Sequence, residues 1–385
     1  MDNSPTDKTL AQYRRVFNLK WSQMPERQRR TSSSWWFFLL FPKDGEGYGP
    51  RQLMFTIASR VGQQIRISDV WLPGIDLKRQ IEDGNDSFHA IAVGWYCDGK
   101  QVYEDIVKET AEATLSRAGF IQCWAEHEDG PRGLEFCASS NHSLGLAARI
   151  KGEKAEARFE AWGDLNSRSS APHEAVDIDT FLGGTHFIAW RRMHFKGEFD
   201  LPVTGRETLE GICYFQRVCL NVPTFPWKWI WVLFPDGSLF SAFVPYIGLQ
   251  LLRKGYTFFR SNVLEQATLP ILPAGFWHGP GPSEEVLFNK ASITPVLGEG
   301  PHPTFNITAS NKQGDTLNFL AVPYGHTRYY VDRPLLGGRL ASHWNYNEYM
   351  VRLERLDGCI QGKPISAGTT GQGFGSLEYT WGLGL

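Results

Sequence analysis

Almost every apolar stretch in this chain is short, rich in β-branched or aromatic residues, and stopped by a Gly, Pro or Asp. Segments of that kind form strands joined by tight turns and are too short for stable helices. Residues 35–42, 51–60, 88–97, 119–128, 133–138, 144–150 and 155–162 make a first set. Residues 185–199, 207–222, 227–234, 238–244, 256–262, 285–293, 304–309, 316–322, 349–356 and 373–381 make a second. Only 106–117 and 247–254 look helical, so the chain is predicted to be all-β. The 14 Trp, 13 Tyr, 25 Phe, 39 Gly and 22 Pro suit strands and turns.

The two sets carry an echo of each other. Trp35-Trp36-Phe37-Phe38-Leu39-Leu40-Phe41-Pro42-Lys43-Asp44-Gly45 is followed much later by Trp229-Ile230-Trp231-Val232-Leu233-Phe234-Pro235-Asp236-Gly237. Each is an aromatic strand running into an Asp-Gly turn, where glycine accepts a positive φ at little cost. Two related β-units are therefore expected, over 35–205 and 206–385, with the boundary near residues 202–207. A polar lead-in over 1–34 precedes them, with seven basic residues against Asp2, Asp7 and Glu26. It reads as solvated, with a short helix around 10–19. Its positive charge would also suit a peripheral contact with an anionic membrane face.

Several function classes are disfavoured. Lys and Arg total 39 against 41 Asp and Glu, without a long basic block, which argues against nucleic acid as the partner. The apolar runs 35–42 and 239–252 fall short of the ~20 residues of a spanning helix. Residues 1–10 hold no apolar secretory core, and Cys97, Cys123, Cys137, Cys213, Cys219 and Cys359 are scattered without a CxxC pair. Free thiols in a cytoplasmic protein are expected. No HExxH helix, phosphate-binding loop or GxSxG elbow occurs, and the acidic run Asp76, Glu82, Asp83, Asp86 lacks EF-hand order. The expectation is chemistry without a metal or cofactor.

Three stretches resemble the lipocalin-like hydroxyneurosporene synthase superfamily. They are Glu210-Gly211-Ile212-Cys213-Tyr214-Phe215-Gln216-Arg217, then Pro226-Trp227-Lys228-Trp229-Ile230-Trp231 with Asp236-Gly237-Ser238, and Gly371-Gln372-Gly373-Phe374-Gly375-Ser376-Leu377-Glu378-Tyr379. That superfamily includes carotenoid 1,2-hydratases, and decalin-forming cyclases are similar to it in architecture. The resemblance implies two tandem lipocalin-like (calycin) β-barrel or β-sandwich units with few helices. It also implies long, apolar, often polyunsaturated ligands of isoprenoid type. There is no Asp-Arg-Glu-Trp-like run after the Gly211 strand, so hydration and cyclisation both stay open.

Side chains alternate faces along a strand, which groups the polar candidates. His186, Ile188, Trp190, Arg192 and His194 would share one side, and Glu210, Ile212, Tyr214 and Gln216 another. Should those strands be neighbours, a His or Glu could serve as general acid beside Trp190 and Tyr214. Glu378 groups with Gln372, Phe374, Ser376 and Thr380, and becomes a pocket acid only where a lumen lies on that side. Trp227, Trp229 and Trp231 form an apolar stripe that could steady a cation, as could Trp344 and Tyr346. The candidate catalytic residues are thus Glu210, His194, Glu378 and His186. The candidate binding residues are Trp190, Tyr214, Trp229, Trp231, Trp344 and Tyr346. His326 reads as a turn residue in a loop after Pro323-Tyr324. The expected function is cofactor-free hydration or cyclisation of a lipophilic polyene. A non-catalytic lipid or pigment carrier is the alternative, and a glycan-binding module a third reading.

Overall fold

The computed structural model describes Val16 and residues 33–45, 47–60, 64–67, 70–73, 85–116, 119–142, 144–163, 173–180, 183–220, 225–253, 255, 257–281, 284–335 and 340–383. Strands β1 (Ser33–Asp44), β2 (Gly47–Tyr48), β3 (Gln52–Arg60), β4 (Gln64–Ile67) and β5 (Val70–Pro73) come first. They are followed by β6 (Asn85–Cys97), β7 (Val102–Ser116), β8 (Phe120–Ala125), β9 (Arg132–Ala138) and β10 (Gly145–Lys151). Then come β11 (Glu156–Trp162), β12 (His173–Thr180), β13 (Gly183–Leu201) and β14 (Gly205–Leu220). Hydrogen bonding runs β11-β10-β9-β8-β7-β6-β3-β1-β14-β13 and returns from β13 to β11, closing a ten-stranded antiparallel barrel.

The rest of the chain forms a second sheet. Its strands are β15 (Trp227–Leu233), β16 (Leu239–Gly248), β17 (Thr268–Pro270), β18 (Ala274–His278), β19 (Glu285–Phe288) and β20 (Lys290–Val296). They continue with β21 (Thr304–Ser310), β22 (Thr316–Leu335), β23 (Leu340–Ile360), β24 (Lys363–Ser366) and β25 (Phe374–Leu383). The order is β19-β18-β16-β15-β25-β23-β22-β21-β20, with β17 on β16 and β24 on β23. Its ends, β19 and β20, are joined by Asn289 alone, so the sheet curls around its own core. The described helices are short: a 3-10 turn at Leu249–Leu252, α1 (Asn262–Gln266) and α2 (Ala367–Thr370).

The aromatic run of β1 lacks polar alternation because both of its faces are buried. Trp36, Phe38 and Leu40 point into the barrel, where Phe38 lies 4.5 Å from Phe215 and 5.0 Å from Phe136. Phe37, Leu39 and Phe41 point out against the second sheet, with Phe41 4.8 Å from Trp231. β15 mirrors this: Ile230 and Val232 fill the second core, while Trp229 and Trp231 face the first unit. The echo is one of position as well. Each of these strands lies between the next strand of its hairpin (β3 or β16) and the last long strand of its unit (β14 or β25). Two packed interiors and one apolar seam between them result.

Four expectations change. β14 pairs with β1 and β13, so the chain passes to the second sheet between Leu220 and Trp227, and residues 202–204 are only a hairpin turn. Residues 106–117 are not helical but lie mainly in β7, because pairing with β6 and β8 outweighs local propensity. His326 lies within β22, opposite Tyr349 on β23, not in a loop. Of the lead-in, only Val16 is described; it is buried in the barrel core and its carbonyl accepts a bond from Trp36 Nε1 at 3.0 Å. The short helix and the membrane contact expected of that segment otherwise lie outside the described residues, as do Asp76, Glu82 and Asp83. All six cysteines are free, and burial raises the Cys97 thiol to about 11 and the Cys123 thiol to about 12.

Candidate active site

Both interiors are filled by side chains, and the cavity lies in the seam between the sheets. It has a volume of about 170 Å³. Alternation decides which residues reach it. β1, β3 and β6 of the first unit turn Phe37, Met54, Ala58, Ile91 and Val93 toward it, an almost wholly apolar wall. β15, β23 and β25 of the second unit turn Trp227, Trp344, Tyr346 and Glu378 toward it. One piece of the first unit crosses over: β4 pairs with β22, setting Ile67 opposite Val331, and both line the cavity.

β25 shows why Glu378 faces this space. Leu377, Tyr379 and Trp381 fill the second core, so Ser376, Glu378 and Thr380 look the other way. Antiparallel pairing then sets Glu378 directly opposite Glu348 on β23. Both are buried. Glu378 accepts from Tyr346 OH at 2.8 Å through Oε1 and from Trp227 Nε1 through Oε2. Glu348 accepts from Ser376 Oγ at 2.9 Å and from Trp95 Nε1 at 3.2 Å, and the Tyr346 oxygen lies 3.5 Å from its Oε2. Tyr346 therefore sits between the two carboxyls.

Burial raises both acids, Glu348 to about 8 and Glu378 to about 7. The charge of Glu378 adds to the rise at Glu348, while the bonds from Trp227 and Tyr346 hold Glu378 lower. Opposed like charges in an apolar seam disfavour double ionisation, which favours a shared proton on the pair near neutral pH. That is a proton source beside an aromatic, apolar space. Among the described residues no three His, Cys, Asp or Glu side chains gather as a metal site would need.

The candidates read from the sequence separate by location. Glu378, Tyr346 and Trp344 line the cavity together. Trp229, Trp231 and Tyr214 lie in the seam behind it; Tyr214 donates to Gln216 at 2.9 Å, and Gln216 is a lining residue. Trp190 is inside the barrel, and His186 is buried on the same side of β13. A β-bulge between Trp190 and Met193 then reverses the parity, so Met193 and Phe195 point inward and His194 is exposed. The expected single face from His186 to His194 does not exist. Glu210 is exposed and ion-paired with Lys196 at 3.2 Å, away from the cavity.

No family model and no curated protein matches the chain. Among solved structures, CghA aligns over 92% of this chain and 89% of its own, at 7% identity and a TM-score of 0.50. The chain shares the CghA fold. A Nitrosomonas europaea protein provisionally named AttH aligns over 94% and 95%, at 11% identity and a TM-score of 0.48. Kievitone hydratase from Nectria haematococca aligns over 94% and 91%, at 11% identity and 0.41. At such identities the likeness to CghA is one of architecture. As this chain builds that architecture, the acidic pair sits on the second unit and faces the first. Glu348 reads in the sequence only as one of the polar groups beside Trp344, with His343, Asn345 and Asn347, and not as a candidate acid. Period-two reading of Trp344-x-Tyr346-x-Glu348 puts it on the Tyr346 face, but only the β23–β25 register pairs it with Glu378.

Proposed function

We propose that the protein is a cofactor-free hydratase or cyclase acting on a lipophilic isoprenoid or polyene held in the seam cavity. The observation that carries this reading is Glu378, a buried carboxyl raised toward neutrality in an otherwise apolar, aromatic cavity. Neutral Glu378 gives its proton to one carbon of a substrate double bond, whose π pair forms the new C–H bond. The neighbouring carbon becomes cationic beside the faces of Trp227 and Trp344, which attract positive charge. In hydration, water bonds to that carbon and returns a proton to the Glu378 carboxylate. In cyclisation, a second double bond closes the ring, and a proton lost from carbon restores the acid. Glu348 and Tyr346 position the proton on Glu378, and the first-unit wall folds the chain by shape.

The test is turnover of a linear isoprenoid polyene by wild type, Glu378→Gln and Tyr346→Phe, read by mass spectrometry. A product heavier by one water marks hydration, and an isomer of equal mass marks cyclisation. Glu378→Gln is expected to lose about 100-fold or more of the rate, the usual contribution of a general acid. The wild-type rate is expected to fall as pH rises through about 7, where Glu378 ionises. Unchanged turnover in Glu378→Gln removes the acid from the mechanism. Recovery of unaltered polyene from the wild type favours a carrier instead.

A further inference from the structure

We propose that the cap built by the end of β16, the 3-10 turn Leu249–Leu252, α1 and β17 is a docking surface for an anionic lipid bilayer. Eight of the thirteen exposed large apolar side chains among the described residues fall between Phe243 and Leu272. Leu272 is 90% exposed, Leu252 80%, Val263 77% and Leu269 69%. Single exposed leucines are ordinary, but a concentration on one surface marks an interaction site.

The cap is one body. Ile247 and Leu269 are opposite partners in the β16–β17 ladder. The 3-10 turn is tied to α1 by Gln250 Nε2, which donates to the carbonyl of Glu265 at 2.7 Å, and by the buried Arg253–Glu265 ion pair. Asn262 is bonded to Leu297 in turn, through its Oδ1 to the Leu297 amide at 2.8 Å. The apolar tips therefore stand on a braced support instead of collapsing onto each other.

Its charge selects the partner. From Gly237 to Gly281 the sequence contains one acidic residue, Glu265, and that one is buried against Arg253. Arg260 is exposed in the same segment. Aliphatic tips beside the exposed Arg260, in a segment whose one carboxylate is buried, match an anionic headgroup layer over apolar acyl chains. The surface also lies beside one wall of the cavity, which Trp227 lines. Trp227 pairs with Pro245, and Ile247 lies two residues on, about 7 Å along the strand. The cap would thus set the Trp227 side of the seam against a bilayer. Docking stands apart from the chemistry above; only its use as a supply route rests on that reading.

The test is co-sedimentation of the full chain with phosphatidylcholine vesicles and with vesicles containing phosphatidylserine, no polyene being present. Wild type is expected to bind the phosphatidylserine vesicles, more weakly at high salt. The triple variant Leu252→Glu, Leu269→Glu, Leu272→Glu should lose affinity about a hundredfold or more, given the apolar burial removed. All three side chains are in solvent, so circular dichroism and thermal melting should be unchanged. Arg260→Glu should weaken binding to anionic vesicles alone. Absence of wild-type binding, or equal binding by the triple variant, overturns the proposal. So does self-association of the wild type that the triple variant abolishes without any vesicle binding, because the cap is then an interface between copies of this chain.

Discussion

Glu378 and Glu348 stand opposite each other on adjacent strands, and Tyr346 lies between them, so they titrate as a pair. Unfolded, both would ionise near the ordinary carboxylate value; folded, both are raised. Between those limits the unfolded chain binds fewer protons than the native one, so stability falls as pH rises toward about 8. Glu348→Gln removes one of the two buried charges. It is expected to raise stability by roughly 2 kcal/mol at about pH 8 and to change little at about pH 5, as measured by denaturant unfolding. An equal effect at both values would mean that Glu348 is not raised. Glu378 is legible in the sequence as a strand carboxylate among small and polar neighbours. Its face is not, because that depends on which neighbours fill the second core. Glu210 is equally legible and lies in solvent, since its strand runs past the seam there.

β1 shows how much an element can reveal before its partners are known. Its unbroken aromatic run announces a strand with two buried faces, and both are found. Phe38→Ala opens a hole among Phe136, Phe159 and Phe215 and should cost about 3–5 kcal/mol in chemical denaturation. Trp35, half-buried at the cavity and stacked on Trp227 at 6.4 Å, should cost much less when changed to Ala. Its loss should instead reduce quenching of tryptophan fluorescence by an added polyene. A stability cost equal to that of Phe38→Ala would make it a core residue. β13 marks the opposite limit. One extra residue after Trp190 reverses the faces of everything downstream, and nothing in the run Trp190-Arg191-Arg192-Met193 signals it. β7 escapes a helix-or-strand reading for a related reason: its alternation of buried and exposed residues is set by the strands on either side.

For the molecule as a whole, the all-β architecture and its two related parts are readable from punctuation and from the repeated aromatic hairpin. The seat of the cavity is not, since it arises where two outer faces meet. Phe37, Leu39, Phe41 and Tyr214 would be bared if the first unit stood alone. A fragment ending at residue 225 should therefore bind a hydrophobic dye and aggregate, whereas the full chain should unfold in one transition. A monomeric fragment that binds no dye would show that the seam contributes little. The division of the cavity has a further consequence. Its acidic pair belongs to one half and most of its greasy wall to the other, joined by packing, the β4 crossover and cross-seam bonds such as Trp95 Nε1 to Glu348. On the proposed function, mutation would resculpt the wall at Met54, Ala58 or Ile91 for a longer or bulkier guest while leaving Glu378 untouched. If that function holds, descendants of this chain would diversify their cargo faster than their reaction.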